Sequence, residues 1–287
     1  MNKWKTKFGR RKFGKRMLLL VTASILIVTL TVAGVSLTFS LASMKEQSIE
    51  LLQMQNNTVA ESFQGSMDSY KEIVLGTIMD DSVQNYCRQV QRNALKTADI
   101  NAVYSKLENL NNMYESLNFA AIVSSDYESY YYRGKGSLSV TQFEEVYPQA
   151  YDKSKYAQKG TLKVSYNNDY YKGNRYTLSL YYPLYDTRKV SDAQGLLCMN
   201  FDDPAVQRML AVGNSSAETR VVDTGGMVLL SKDKEETGRY VNYIDEMENG
   251  IQIFTKNGNM YVCQKIKNWN YYVVSSISSY KMMESGL

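Results

Sequence analysis

Tyrosine is the recognising side chain this sequence uses most: it occurs 24 times, against 2 tryptophans and no histidine at all. The missing imidazole removes Ser-His-Asp and Cys-His catalysis, the usual zinc sites and any phospho-accepting histidine within this chain. The three cysteines, Cys87, Cys198 and Cys263, lie far apart and show no CxxC spacing, so neither a disulfide framework nor a redox pair is expected. Cys198 and Cys263 sit in apolar, strand-like runs and read as small buried hydrophobes. Tyrosine itself offers flat, amphipathic contact area at low entropy cost, which suits recognition of small polar molecules. Tyr130 and Tyr132 alternate onto one face of a strand, with Arg133 on the other, and are the first candidates for lining a cavity. Asp202 and Asp203 precede Pro204 and read as a helix cap rather than a metal pair. No metal and no cofactor is expected.

The element that fixes where this chemistry takes place is the run Met17 to Ser43, which holds no Asp, Glu, Lys or Arg. Its core, Met17 to Phe39, is about 23 residues, roughly 35 Å of helix, enough to cross a bilayer. A lone span must satisfy its own backbone hydrogen bonds, and so is a helix. The arm before it carries Lys3, Lys5, Lys7, Arg10, Arg11, Lys12, Lys15 and Arg16 with no acid among them. Basic flanks stay in the cytoplasm and are held by anionic headgroups, which places the N-terminus inside and residues 44–287 outside. The chain has a net charge of +4. Setting aside the eight charges of the arm leaves the exported part near −4, and no nucleic-acid-binding surface follows from that. Ser40-Leu41-Ala42 resembles a signal-peptide cleavage site, but the apolar run exceeds the usual h-region, so an uncleaved anchor is the better reading.

From Met44 to Met79 apolar residues recur at helical spacing: Ile49, Leu52, Val59, Phe63, Met67, Tyr70, Val74 and Ile78. One long helix, about 50 Å, is expected there, able to pack on its own domain or pair with a second copy. Asp80-Asp81-Ser82 offers a break and a new cap. Residues 83–117 read as one or two helices. Strands are expected at Phe119–Gly136 (a hairpin), Gly160–Tyr166, Arg175–Asp186 and Gly195–Phe201, with helix and loop at Thr141–Tyr156 and a short helix at Pro204–Val212. After the linker Gly213–Ala217 the pattern restarts, with strands in Thr219–Ser231, Gly250–Ile266 and Asn270–Ile277. The hairpins FAAIVSSDYESYYY and TRVVDTGGMVLLS repeat one another in pattern though not in identity. The fold class is therefore α+β. The expected divisions are a basic arm (1–16), a transmembrane helix (17–43), a long helix (44–80), a distal sheet module (81–212) and a proximal one (213–287).

This layout resembles the double Cache (dCache) extracellular domains of bacterial receptors. AAIVSSDYESYYY is similar to the first hairpin of the family's distal module. YTLSLYYPLYD and GLLCMNFDDPAVQRML are similar to its closing strands and short helix. RVVDTGGMVLLSKDKEETGRYV and YVCQKIKNWNYYVVSSI are similar to the opening hairpin and final strands of the proximal module. The match covers about Met44 to Ile277. It implies ligand sensing in the distal module, ahead of a histidine kinase, chemotaxis transducer or cyclic-dinucleotide enzyme. It also implies a second span beginning about where the chain stops, at Leu287, so that a truncated receptor is expected, with a chain that ends there naturally as the alternative.

Amino-acid-binding members carry an Arg-x-Trp-Tyr motif, a later tyrosine and an aspartate. By resemblance the corresponding residues here are Lys153, Lys155 and Tyr156 with no tryptophan, then Tyr166, then Asn200. Lysine does not grip a carboxylate bidentately as arginine does, and a neutral amide cannot ion-pair with an ammonium. A sugar or another neutral polar molecule is therefore favoured over an amino acid. The ligand-binding set is Tyr130, Tyr132, Lys155, Tyr156, Tyr166 and Asn200, with the alternative that the Asn200 amide caps the helix after it. A homodimer through helix 44–79 is plausible from its seam. The competing functions are an anchored exported enzyme using carboxylates alone, as glycosidases do, and an anchored binding module with no signalling output.

Overall fold

The computed structural model describes residues 3–125, 130–135, 163–169, 175–189, 192–210, 217–242 and 250–284. The chain divides into two compact units: Met1–Leu51 with Ser278–Leu287, and Leu52–Ile277.

In the first unit the chain belongs to α1, a proline-free helix whose full extent is Lys3–Ile78. Its large apolar side chains between Met17 and Phe39 are exposed. It is the one helix among the described residues long and apolar enough to cross a membrane. The hydroxyls within this stretch turn back on the helix. Thr22 donates to the Leu18 carbonyl at 2.9 Å, Thr29 to Ile25 at 2.8 Å and Thr31 to Ile27 at 2.8 Å. Hydroxyls paired in this way leave no unsatisfied donor for lipid to meet. The remainder of the unit includes a short helix, α5 (Ser279–Glu284).

In the second unit α1 ends where expected. The Asp80 carboxylate accepts the Ser82 N–H at 2.9 Å and starts α2 (Asp81–Gln91). Asn93, with φ at +51°, turns the chain toward α3 (Thr97–Met113). The first sheet then forms from β1 (Leu117–Ser124), β2 (Tyr130–Gly134), β3 (Lys163–Asp169), β4 (Arg175–Leu184) and β5 (Gly195–Phe201). A short helix, α4 (Asp203–Leu210), follows. The second sheet forms from β6 (Glu218–Asp223), β7 (Val228–Ser231), β8 (Ile251–Lys256), β9 (Asn259–Lys265) and β10 (Tyr271–Ser278).

The orders are β2-β1-β5-β4-β3 and β7-β6-β10-β9-β8, the same plan built twice. The repeat expected from the sequence pattern is thus a repeat of topology. Asn257 and Gly258, both at positive φ, close the β8–β9 hairpin as Asn-Gly turns do. The segment Thr141–Tyr156 and the linker residues 213–216 lie outside the described residues.

Alternation decides the core. On β1, β4 and β5 the side chains of Leu117, Ala120, Ile122, Leu178, Leu180, Leu197, Met199 and Phe201 join one buried cluster with the apolar stripes of the helices. From α1 that cluster takes Val59, Phe63, Met67, Tyr70, Val74 and Ile78, spaced three or four apart. Residues 55–78 of α1 run along both sheets. Phe63 meets Tyr271 of β10 edge to face, and Tyr70 stacks on Phe201 of β5 with centroids 3.7 Å apart. Closer to the start of the unit the helix carries polar contacts instead. Gln55 donates to the Thr219 hydroxyl at 2.6 Å, and Asn56, fully buried, donates to the Val262 carbonyl at 2.7 Å. The α+β reading, a long N-terminal helix followed by two antiparallel sheets, is borne out.

Candidate functional site

The first sheet has a second face, turned from the helices. Cross-strand partners in an antiparallel sheet share a face. Tyr130 pairs with Val123, Tyr132 with Ala121 and Gly134 with Phe119. Phe119 pairs with Asn200, and Ala121 with Cys198. Asn200 in turn pairs with Ser179, and Cys198 with Tyr181. None of Phe119, Ala121, Cys198, Ser179, Tyr181 or Asn200 is exposed, and none belongs to the helix-side core cluster.

At one edge of this face the rings form a continuous aromatic strip. Tyr132 lies 5.2 Å from Phe119 and 6.1 Å from Tyr130, centroid to centroid. Gly134 makes the strip possible, because a Cβ there would stand 2.5 Å from both the Tyr132 hydroxyl and the Phe119 Cβ. Burial pushes the Tyr130 hydroxyl pKa up, and the neighbouring Tyr104 adds to that, so the phenol stays neutral and able to donate. The intervening residues face the helices. Tyr131 meets Tyr86 and Tyr104 edge to face, and the Arg133 guanidinium lies 4.0 Å above the Tyr104 ring.

Toward the centre of the sheet the face becomes polar. Asn118 donates through Nδ2 to Asn200 Oδ1 at 3.0 Å, and Asn200 donates through Nδ2 to the Ser179 hydroxyl at 2.9 Å. Asn118 reaches this row because β1 slips register against β5 between Leu117 and Phe119. Its own Oδ1 is buried without a hydrogen-bond partner among the described residues. A buried acceptor left in this way is destabilising until a donor reaches it. Asn118 and Ser179 were not among the expected site residues. The one signal for Asn118 was an amide inside an otherwise apolar strand.

The helix start beside this row is capped by Asp202, whose carboxylate accepts the Ala205 N–H at 3.2 Å and pairs with Lys135 at 3.2 Å. Asn200 therefore does not serve as the cap. Tyr166 pairs in register with Leu178, one step from the Ser165–Ser179 pair. Lys155 and Tyr156 lie outside the described residues. All three cysteines are buried and none is joined in a disulfide. Burial, with Asp186 adding to it, pushes the Cys87 thiol up to about 12, which leaves it inert as a nucleophile. No group of acidic or sulfur side chains able to hold a metal occurs among the described residues.

No protein-family model matches the chain, and no curated protein matches it in sequence. Solved structures do match in fold. The ligand-binding domain of the Pseudomonas aeruginosa amino acid chemoreceptor PctC in complex with GABA superposes with a TM-score of 0.58 at 12% identity, over 80% of this chain and 100% of that one. The same domain of the Pseudomonas fluorescens chemoreceptor CtaA in complex with L-isoleucine gives 0.57 at 11%, over 85% and 98%. The extracellular domain of vpHK1S-Z8, described as a histidine kinase, gives 0.55 at 10%, over 84% and 98%. This chain has the double Cache fold. The sheets β1–β5 and β6–β10 are its two modules. The face just described is the one turned away from the α1 stripe that packs on the first sheet.

Proposed function

We propose that this chain is the extracellular sensor part of a bacterial membrane receptor, anchored by residues 17–43 with its N-terminus in the cytoplasm. Its ligand is a small polar molecule held on the outer face of the distal sheet. The observation that carries this reading is the buried amide row Asn118–Asn200–Ser179, with an acceptor that has no partner among the described residues, beside an aromatic strip. A buried polar row is the informative departure from an apolar core, and each unpaired member of it calls for a partner. Tyr130, Tyr132 and Asn200 form the proposed site together with Asn118 and Ser179. Lys155 and Tyr156 belong to it on the family resemblance alone; Tyr166, expected there too, is left out, because its register partner Leu178 belongs to the helix-side cluster and cross-strand partners share a face.

The neutral amides favour a ligand that offers a hydroxyl or amide donor, as sugars do. Double Cache domains of known structure are named with GABA and L-isoleucine bound, so amine-bearing ligands belong in the same test set. Binding would bias the position of α1 against the two sheets, by no more than the ligand's difference in affinity between the two arrangements. By the family resemblance, the output such a sensor serves is a histidine kinase or a chemotaxis transducer.

The test is a calorimetric and thermal-shift titration of the full chain in detergent or nanodiscs, against L-serine, L-isoleucine, GABA, D-glucose and D-galactose. At least one is expected to bind, and Tyr132→Ala and Asn200→Leu to abolish that binding while the chain stays folded. Binding undiminished in both variants would place the ligand elsewhere and overturn the reading. Turnover of any of these compounds would overturn it in favour of an enzyme.

A further inference from the structure

The proximal sheet repeats the plan of the distal one, so its residues can be matched position by position. Ser124 pairs with Gly195 at one end of the β1–β5 ladder, as Asp223 pairs with Tyr271 in β6–β10. Counting from that end, Glu218 and Ser276 stand where Phe119 and Asn200 stand, and Arg220 stands where Ala121 stands. The face that carries the tyrosines and amides in one module therefore carries a guanidinium in the other.

That guanidinium is nine-tenths buried. Arg220 Nε donates to Glu236 Oε2 at 2.6 Å, and its Nη2 donates to Glu236 Oε1, so the two groups meet fork to fork. Nη2 also reaches Glu218 at 3.0 Å, and Nη1 reaches the Ser276 hydroxyl at 3.2 Å. The Ser231 hydroxyl donates to Glu236 Oε2 at 2.8 Å from β7. Together these donors make a complete carboxylate site of one bidentate arginine and one serine hydroxyl, on the sheet face that also carries Val222 and Val274. The carboxylate that fills it comes from the 3-10 turn Lys234–Glu236, whose start is capped by Asp233 accepting the Glu235 N–H at 3.0 Å. Glu236 is thus delivered by a short surface turn, not by the sheet.

We infer that the proximal module is a carboxylate-binding site closed in cis, with Glu236 as its tethered ligand. The class of molecule it takes when the turn leaves is a small aliphatic carboxylate. While the tether holds, Arg220 of β6 reaches Ser276 of β10 directly and Ser231 of β7 through Glu236. A tethered group acts at an effective concentration of millimolar or above, so free carboxylates leave the intact chain unmoved. This inference goes beyond the sensor reading and does not depend on what the distal sheet binds.

The test is chemical rescue in the full chain. Glu236→Ala is expected to lower the thermal midpoint, and ~100 mM sodium acetate to restore about half or more of the loss by mass action. Sodium chloride at equal ionic strength and acetamide are expected to restore none of it. The intact chain and the Arg220→Ala, Glu236→Ala double variant are expected to show no acetate-specific response. If Glu236→Ala does not fold, Glu236→Ser, whose short side chain likewise leaves the carboxylate position empty, carries the same comparison. Acetate acting no better than chloride on both single variants, or acting equally on the double variant, overturns the inference.

Discussion

The hydroxyl of Tyr132 stands 2.5 Å from where a Cβ on Gly134 would lie, two residues along the same strand. The hydroxyl can stand there only because Gly134 has no side chain. Gly134→Ala is therefore expected to overpack this corner and destabilise the chain by about 1–3 kcal/mol. Tyr132→Phe in that background is expected to recover only part of the loss. The Phe119 Cβ is equally near, and the Asn118 carbonyl is 2.9 Å away. Denaturant unfolding of the three variants checks this, and full recovery by Tyr132→Phe would show that the hydroxyl alone sets the fit.

A second prediction concerns the contact between α2 and the segment after β4. The Gln84 amide is buried and all of its main capacity is used. Nε2 donates to the carbonyls of Ile78 at 2.9 Å and Tyr185 at 3.1 Å, and Oε1 accepts from Thr187 N at 3.0 Å and Thr187 Oγ1 at 2.8 Å. Gln84→Glu keeps the acceptor but turns the donor into an oxygen facing two carbonyls. It is expected to destabilise by about 2–4 kcal/mol at neutral pH. Part of that loss should return in acid, where the protonated carboxyl can donate to one carbonyl. Thermal midpoints of both proteins across pH read the effect. A variant loss that does not shrink in acid would contradict it.

Acid sensitivity follows from two carboxylates of the native chain. Burial would raise the Glu236 pKa, but hydrogen bonds from Arg220 and Ser231 and the charges of Arg220 and Arg239 outweigh it and hold the group below its ordinary 4.5. Burial would likewise raise Asp80, and the Lys106 and Ser82 contacts hold it below its ordinary 3.8. A carboxyl depressed on folding stabilises above its unfolded pKa and loses that contribution as pH falls through the folded one. Stability is therefore expected to be level near neutrality and to decline as the pH drops below about 4.5. Asp80→Asn keeps a capping side chain for Ser82 but loses the pair with Lys106, 2.8 Å away. It should lower stability modestly near neutral pH and converge on the parent protein in acid, as pH-dependent unfolding would reveal.

Most of the fold could be read from alternation and punctuation. Helical spacing from Val59 to Ile78 marked the face of α1 that meets both sheets, and Asp80-Asp81-Ser82 marked its end. The strands were visible because each is short, apolar and bounded by turn residues. The site was less visible, because its parts come together only through cross-strand pairing. Asn118 and Asn200 lie 82 residues apart, and Asn200 and Ser179 lie 21 apart. Nothing local to Asn118 announces the register slip that carries it into the row. Arg220 and Glu236 were missed for a different reason. Sixteen residues separate them, and a charged residue in a strand ordinarily reads as solvent-facing. Only the repeat of topology shows that Arg220 stands on the face its module would use for a ligand.

The last prediction asks what Asn200 selects. In the native row its Oδ1 accepts from Asn118 and its Nδ2 donates to Ser179, so the position is neutral and committed in both directions. Asn200→Asp preserves the contact from Asn118, and the Ser179 hydroxyl can rotate from acceptor to donor, so both neighbours remain paired. What changes is the charge. A buried carboxylate beside the Asn118 acceptor creates a site for an ammonium group, at a loss of about 3–5 kcal/mol while the charge is unpaired. Affinity for L-serine and GABA is expected to rise about tenfold or more, while affinity for D-glucose or D-galactose is unchanged or falls. Calorimetric titration of parent and variant with the same four compounds decides it. If the amine-bearing ligands gain nothing over the sugars, Asn200 does not face the ligand, and selection rests on the tyrosine strip instead.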